Sequence, residues 1–267
     1  MPDFVYSRAG DLYTPTEWAG SPWSRELQHG GPVCGLLAAA AEQVAQESGL
    51  RVVRLTVDLC RPTPLLALRL VSELVRRGRR LALLETRLEA GDLVVTRGTA
   101  LLLAANGALA STWHPGEPPP PGPEGLDPFQ FMPREYVAQV PPGFHRSVEV
   151  RMSEDELGPA VWATTPLDLV AGEPTSALVR AAMLSDLTFA LSGRLLLRRG
   201  LVPLDSRRVA LINADMTLYL ERPPEGEWVA MRSGSITDFE GIGLAEVTQL
   251  DTRGRYGRSV QVLVANG

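Results

Sequence analysis

The sequence contains no lysine, and all 26 of its Lys and Arg residues are arginine. This absence excludes a Schiff-base lysine and the lysine of a phosphate-binding P-loop. Acidic residues number 31, so the formal net charge is -5. Nucleic-acid binding calls for clustered positive charge, and the sequence therefore predicts no nucleic-acid partner.

Cysteine and histidine are scarce, with two and three residues: Cys34, Cys60, His29, His114 and His145. Two cysteines are too few for a disulfide scaffold, and no Cys or His spacing matches a metal site. No apolar stretch reaches the roughly 18 residues of a membrane span, and no signal segment opens the chain. We therefore expect a cytoplasmic protein with no metal, no cofactor and no membrane span.

The remaining composition is that of a globular protein, with 267 residues, 45% hydrophobic and 21% charged. A proline-rich segment at residues 114–147 interrupts the chain. Because proline cannot donate a backbone hydrogen bond, this segment favours an extended connector over a sheet. We predict an N-terminal unit at 1–113, a linker at 114–147 and a C-terminal unit at 148–267.

Each flank carries one helix pattern followed by four strand patterns. The predicted helices cover residues 32–47 and 175–191, the second of them ended by Gly193. The predicted strands cover residues 52–59, 65–74, 81–88 and 93–103 in the first flank, and 209–220, 228–235, 243–250 and 256–264 in the second.

The two flanks also align with each other at an offset of 161 residues. Arg61-Pro62 then matches Arg222-Pro223, and Ala100 falls on Gln261 without a gap. A helix followed by an antiparallel sheet that can wrap it is a hotdog unit. Two copies predict an α+β fold, a double hotdog whose two sheets join and protect their edges.

Several stretches together resemble the type II acyl-CoA thioesterase family, and more closely the thioesterase-like proteins of high-GC bacteria. They are residues 28–37 (QHGGPVCGLL), the two Arg-Pro strand ends, residues 185–187 (SDL) and residues 257–261 (GRSVQ). The resemblance implies a double hotdog that hydrolyses acyl-CoA with an Asp, a Thr and a Gln that position a water. It places the family Asp on Asp186 and the family Gln on Gln261. The family Thr falls on Asn213, which is a departure because Asn lacks the hydroxyl.

The helical pattern supports Asp186 independently of the resemblance. At about 100° per residue, Asp186 lies opposite the polar arc of its helix, among Ala182, Met183 and Phe189. A carboxylate on a buried stripe is costly unless it is paired or functional, so we interpret Asp186 as a general base. A structural Asp bonded to the backbone is the alternative. Glu42 takes the matching place in the first copy when the helix ends are superposed, and its helical position predicts a solvated side chain.

The other two polar residues each have a structural interpretation beside the catalytic one. Gln261 shares its strand face with Ser259 and Leu263, where it could be a buried amide bonded to the backbone. Strand alternation groups Asn213 with Asp215 and Thr217, which predicts an outer surface position unless a bulge intervenes.

The Gly30-Gly31 pair at a helix start could present backbone N–H groups to a thioester carbonyl and its developing oxyanion. Gly-Gly is also a common helix-start signal. His29 could contact substrate at the same place, although it has no Ser or Cys partner that would form a triad.

We therefore predict hydrolysis of acyl-CoA thioesters by a water that Asp186, Gln261 and Asn213 position, as part of lipid metabolism. An acyl-CoA or acyl-pantetheine binder that has lost catalysis is the alternative. A hotdog hydratase would need an Asp and a His close together in sequence, and no Asp stands near His29 in that way. Association of chains into a homo-oligomer stays open.

Overall fold

The protein is described here by a computed structural model covering residues 3–107, 116–130, 132, 134–191, 193 and 211–265. The predicted boundary between residues 113 and 114 lies outside these residues, as do the first two residues of the strand predicted at 209–220.

Seven strands and helices form the N-terminal part of the fold, together with a 3-10 turn (Glu17–Ala19) before the helix. They are β1 (Phe4–Ala9), β2 (Leu12–Pro15), α1 (Gly30–Ser48), β3 (Arg51–Asp58), β4 (Leu68–Arg77), β5 (Leu81–Ala90) and β6 (Leu93–Leu103). Helix α1 begins after His29, whose side chain caps the first turn, and ends at Gly49 in the left-handed conformation.

The remaining elements begin with a short helix, α2 (Arg134–Gln139), and a 3-10 turn (Phe144–Arg146). They continue with β7 (Glu149–Asp155), β8 (Gly158–Thr164), β9 (Asp168–Val170), α3 (Ala177–Ser185), β10 (Leu211–Asn213), β11 (Asp215–Leu220), β12 (Val229–Phe239), β13 (Ile242–Asp251) and β14 (Gly254–Ala265).

All the strands join one sheet, whose centre is the antiparallel pair of β3 and β11. From β3 the order outward is β6, β5, β4, β2 and β1, and from β11 it is β14, β13, β12, β8 and β7. Equivalent strands therefore occupy equivalent places on the two sides. Strand β9 adds to β1 in parallel, and β10 pairs with β14.

Helices α1 and α3 pack against each other inside the sheet, and one hydrophobic core includes residues of both halves. Leu36 and Leu37 of α1 and Met183 and Leu184 of α3 are fully buried. The predicted double hotdog is confirmed: each half wraps an antiparallel sheet around one helix. None of the described helices is both long and apolar enough to cross a membrane.

Two features of the fold differ from the sequence prediction. Two strands, β1 and β2, precede α1, and three strands, β7, β8 and β9, precede α3; they have three to seven residues each, too few for a clear alternating pattern. The second helix ends at Ser185 rather than Leu191, because Asp186 and Leu187 form a turn before residues 188–191 become helical again. Gly193 does not end this helix, since it is itself helical.

The proline-rich segment packs on the C-terminal strands where it is described. Trp162 donates from its indole nitrogen to the carbonyl oxygen of Pro121 at 2.7 Å, and Arg232 pairs with Glu117 at 2.7 Å. Specific hydrogen bonds therefore hold this part of the segment against β8 and β12.

Candidate active site

Asp186 lies at the C-terminal end of α3, where this helix meets the N-terminus of α1. Its residue surface is only 8% exposed. A helix N-terminus favours a nearby negative charge, because its first N–H groups are unpaired and its dipole is positive there. The predicted general base is therefore a buried carboxylate beside a helix end that suits an anion.

Gln261 of β14 holds the turn that interrupts the second helix. Its side-chain nitrogen donates to the backbone oxygen of Asp186 at 3.0 Å, and its side-chain oxygen accepts from the Phe189 N–H at 3.0 Å. These bonds replace the helical ones that the turn lacks. The amide of Gln261 is fully buried and committed to backbone, with one of its two N–H groups left for another partner.

Asn213 contacts Asp186 because a bulge separates β10 from β11. Asn213 pairs with Leu263 and Thr217 with Val260, so four steps along one strand match three along the other. The Asn213 amide nitrogen donates to Oδ1 of Asp186 at 2.5 Å. Simple alternation, which predicts an outer position for Asn213, is therefore wrong, and the bulge exception applies.

Gly30 makes room for the carboxylate. A Cβ atom at this position would lie 2.5 Å from Oδ1 of Asp186, well inside van der Waals contact. The first turn of α1 can therefore approach Asp186 only with glycine at this position.

His29 completes the contacts of the carboxylate. Its Nδ1 lies 3.0 Å from Oδ2 of Asp186 and also 3.0 Å from the backbone nitrogen of Gly31. One protonation state cannot make both hydrogen bonds: a bare Nδ1 accepts from Gly31, whereas a protonated Nδ1 donates to Asp186. Nδ1 of His29 therefore makes either the capping bond with Gly31 or the hydrogen bond to Asp186, depending on which ring nitrogen carries the proton.

Gln28, which forms an isolated β-bridge with Gly20, fixes the position of His29. Gln28 accepts from the Tyr6 hydroxyl at 2.7 Å and donates to the carbonyl oxygens of Pro64 and Leu66 at 2.8 and 3.0 Å. Burial holds the pKa of Tyr6 far above its usual range, so this phenol stays a donor.

Gly31 occupies a crowded place rather than an open one. A Cβ there would lie 2.6 Å from the Met183 carbonyl oxygen and 2.8 Å from the ring of Phe144. Its N–H already faces His29. The sequence predicts free N–H groups at both Gly30 and Gly31, but the Gly31 N–H is occupied by the cap from His29.

Cys34, one turn into α1, is not a nucleophile. Burial, followed by the negative charges of Asp186 and Asp215, raises the pKa of its thiol well above the usual range. The thiolate is the reactive form of cysteine, and this environment disfavours it.

Sequence reasoning missed two residues of the connector that reach the site. The Phe144 ring meets the His29 ring edge-on at 5.3 Å between centroids, and the His145 ring lies 6.3 Å from it at an interplanar angle of 22°. His145 is one of only three histidines, but its place beside the prolines suggested a linker. Contacts between residues so far apart in sequence leave no local pattern.

Further buried polar groups line the C-terminal sheet beneath the helix. Gln249 accepts from the Tyr256 hydroxyl and donates to Ser185, and Thr188 bonds to Ser259 at 3.0 Å. At the offset of 161, the positions of Gln249, Tyr256, Ser259 and Gln261 carry Leu88, Val95, Gly98 and Ala100 in the first copy. These four polar residues of the second copy therefore have apolar counterparts in the first.

Two surface clefts, of about 580 and 620 Å³, lie away from Asp186. Glu42 lines the larger one, between α1 and the start of α3. Among the described residues, no group of three or more His, Cys, Asp or Glu side chains is arranged to hold a metal ion.

Two family models match the chain: the acyl-CoA thioesterase N-terminal domain over residues 19–103 and the acyl-CoA thioesterase C-terminal domain over residues 112–265. No curated protein sequence matches it.

Several solved structures have the same fold over nearly the whole chain. A protein assigned as a thioesterase from Novosphingobium aromaticivorans is 22% identical, with a TM-score of 0.71 and coverage of 98% of this chain and 99% of that one. An acyl-CoA thioesterase II from Mycobacterium marinum is 14% identical, with a TM-score of 0.64 and coverage of 98% and 95%. A hot dog fold protein of unknown function from Alicyclobacillus acidocaldarius is 16% identical, with a TM-score of 0.67 and coverage of 98% and 96%.

Proposed function

This chain belongs to the acyl-CoA thioesterase family, which makes it a thioester hydrolase, and we propose that it cleaves acyl-CoA at Asp186. The observation that carries this assignment is the buried Asp186 carboxylate, bonded to Asn213 and lying beside the first turn of α1. A buried carboxylate among polar partners is suited to accept a proton from water.

The proposed reaction uses no covalent intermediate. Asp186 takes a proton from water as the water oxygen attacks the thioester carbonyl carbon. The tetrahedral intermediate then expels the CoA thiolate, which takes up the proton held by Asp186, so that the carboxylate is restored and the products are a free acid and CoA. Thiolate is a good leaving group, so its departure needs little acid assistance.

Asn213 and Gln261 serve this base in different ways. Asn213 donates to Oδ1 of Asp186 and so fixes the direction of the carboxylate. Gln261 donates one side-chain N–H to the backbone carbonyl oxygen of Asp186 and offers the other to the water.

The start of α1 binds the carbonyl. The Gly30 N–H lies at the helix end, where donors are unpaired. The Gly31 N–H is engaged by Nδ1 of His29, so the Gly30 N–H is the donor of this turn that we propose for the carbonyl oxygen.

We assign the enzyme to lipid metabolism in the cytoplasm. Both cysteines are free thiols, and Cys60 is exposed, which suits a reducing compartment.

Hydration of an unsaturated acyl thioester is a second candidate, favoured by the contact of 3.0 Å between His29 and Asp186. The sequence gives no Asp near His29, but the fold brings Asp186 to it from 157 residues away. An imidazole and a carboxylate together can supply the acid and the base that addition of water requires.

The test is release of free thiol from short, long and aromatic acyl-CoA esters, with a 2-enoyl-CoA included to detect loss of its conjugated absorbance. We expect Asp186→Asn to keep the fold and to lose at least about 100-fold in kcat. Glu42→Gln is the control, because Glu42 lines a cleft away from the site, and it should keep the parent rate.

Unchanged turnover in Asp186→Asn would remove Asp186 as the base. Binding of acyl-CoA without thiol release from any ester would favour the non-catalytic binder. Loss of the enoyl absorbance without thiol release would favour the hydratase.

A further inference from the structure

The imidazole of His145 is buried without a hydrogen-bond partner. The residue is 2% exposed, and neither Nδ1 nor Nε2 has a partner among the described residues. Burial of an unsatisfied polar group costs free energy, so such groups are rare in folded proteins and call for a specific explanation.

The turn that carries His145 is held against the Ala19-Gly20 backbone, which also binds the backbone of His29. The backbone N–H of Phe144 donates to the Gly20 carbonyl oxygen at 3.1 Å. The backbone N–H of His29 donates to the Ala19 carbonyl oxygen at 2.8 Å. Any Cβ at Gly143 would collide with the backbone of Gly20. These contacts therefore hold the backbone of His145 close to His29.

The ring of His145 is also uncharged over the neutral range. Burial, followed by the neighbouring His29 and Arg146, lowers its pKa to about 4. A neutral imidazole carries one N–H donor and one bare nitrogen. The ring N–H can therefore donate a hydrogen bond to an oxygen that gains negative charge. Because the ring is neutral, it has no acidic imidazolium proton to transfer to Asp186.

We propose that His145 is a catalytic residue whose ring N–H donates to the carbonyl oxygen of the bound acyl thioester. The proposal rests on the hydrolase function above. It is carried by the unpartnered ring nitrogens, by their place next to the His29 and Asp186 pair, and by the use of the Gly31 N–H as a cap. A preorganised donor of this kind stabilises the charge that develops on the carbonyl oxygen.

The first measurement compares His145→Leu, which removes the donor, with His145→Gln, which keeps an N–H. We expect kcat of His145→Leu to fall roughly 100-fold, with a Tm at or above that of the parent, because no hydrogen bond of the free protein is lost. His145→Gln should recover part of kcat. A parent-like kcat in His145→Leu, or equal losses in both variants, would overturn the proposal.

The second measurement locates the contact through binding of two non-hydrolysable ligands. One is an acyl-CoA analogue with a ketone in place of the thioester carbonyl, and the other is an S-alkyl-CoA thioether with no carbonyl oxygen. His145→Leu should weaken binding of the ketone and leave the thioether unchanged, and His145→Met provides the same comparison should the first variant not fold.

Equal weakening of both ligands would make His145 a structural residue and defeat the proposal. This comparison also separates the two proposals. A parent that binds both analogues but hydrolyses no ester refutes the hydrolase, while the difference between ketone and thioether still decides the role of His145.

Discussion

The hydroxyl oxygens of Thr56 and Thr217 lie 3.2 Å apart across the junction of β3 and β11. The two residues pair directly in register, and they are separated by the 161 residues that relate the two copies. The approximate twofold axis of the fold therefore passes between them.

This symmetry makes the differences between the copies informative. In the second copy Gln249 and Gln261 are buried polar residues, whereas Leu88 and Ala100 take the same places in the first. A packed core needs no amides, so these polar positions agree with the proposal that the site lies in the second copy.

Arg222 also differs from its counterpart in the first copy, because it forms a buried ion pair that we expect to stabilise the fold. It binds Asp251, which is 1% exposed, through two hydrogen bonds of 2.6 Å. Removing one partner of a buried pair leaves the other charge uncompensated, and we expect Arg222→Met to cost about 3 kcal/mol in the free energy of unfolding. Urea denaturation at pH 7 measures this cost.

Arg61, the counterpart of Arg222 in the first copy, gives the matched control. It is exposed, and its guanidinium donates to the Val94 carbonyl oxygen at 3.0 Å, with no carboxylate partner among the described residues. We expect Arg61→Met to change stability by less than about 0.5 kcal/mol. Equal costs at the two positions would show that the pair with Asp251 is not the source of the difference.

Gly30→Ala tests the contact between α1 and the carboxylate. Because the new Cβ would lie 2.5 Å from Oδ1 of Asp186, the carboxylate must shift, and we expect a loss of roughly 100-fold in kcat. Gly107→Ala meets no atom within 4 Å and should keep the parent rate. Parent-like turnover in Gly30→Ala would mean that the carboxylate need not hold its observed position.

Asn213 offers a test in two directions. Asn213→Asp has almost the same shape but replaces the donor to Asp186 with a second negative charge, so we expect at least about a tenfold loss of kcat at pH 7.5. Asn213→Thr keeps a donor as a hydroxyl and should match or exceed the parent. Thiol release over a range of acyl-CoA concentrations separates kcat from KM, and an active Asn213→Asp would show that the contact is dispensable.

The sequence predicts the repeated helix and strand order well, because long amphipathic and alternating patterns are local. The short strands before each helix carry little pattern of this kind. Asn213 shows a second limit, since a single inserted residue reverses the face on which a strand places its side chains. The contact of His29 with Asp186 joins residues of different copies, so no local spacing could reveal it.

The buried His145 also makes stability depend on pH, with a sign that follows from its pKa. The folded value of about 4 lies below the ordinary 6.5, so the unfolded chain takes up the proton first. The stability is therefore fully present above pH 6.5 and is lost as the pH falls toward 4. At about 1.4 kcal/mol for each pKa unit, the loss approaches about 3 kcal/mol.

Comparison with His145→Leu isolates the effect of His145, because both proteins keep Asp215, whose pKa is raised by burial. Other carboxylates act in a lower window. Hydrogen bonds from Arg232 lower the pKa of Asp155 from 3.8. Burial raises the pKa of Asp251, but the hydrogen bonds from Arg222 and from the backbone N–H groups of Arg253 and Glu225 together outweigh it and lower that pKa. Both groups keep their stabilising charge until the pH falls below about 4. Urea denaturation between pH 7 and 4.5 should therefore show a clear slope in the parent and a flatter one in His145→Leu. Parallel slopes would mean that the imidazole takes up its proton equally well in the folded and unfolded chains, and that His145 is less shielded than its position indicates.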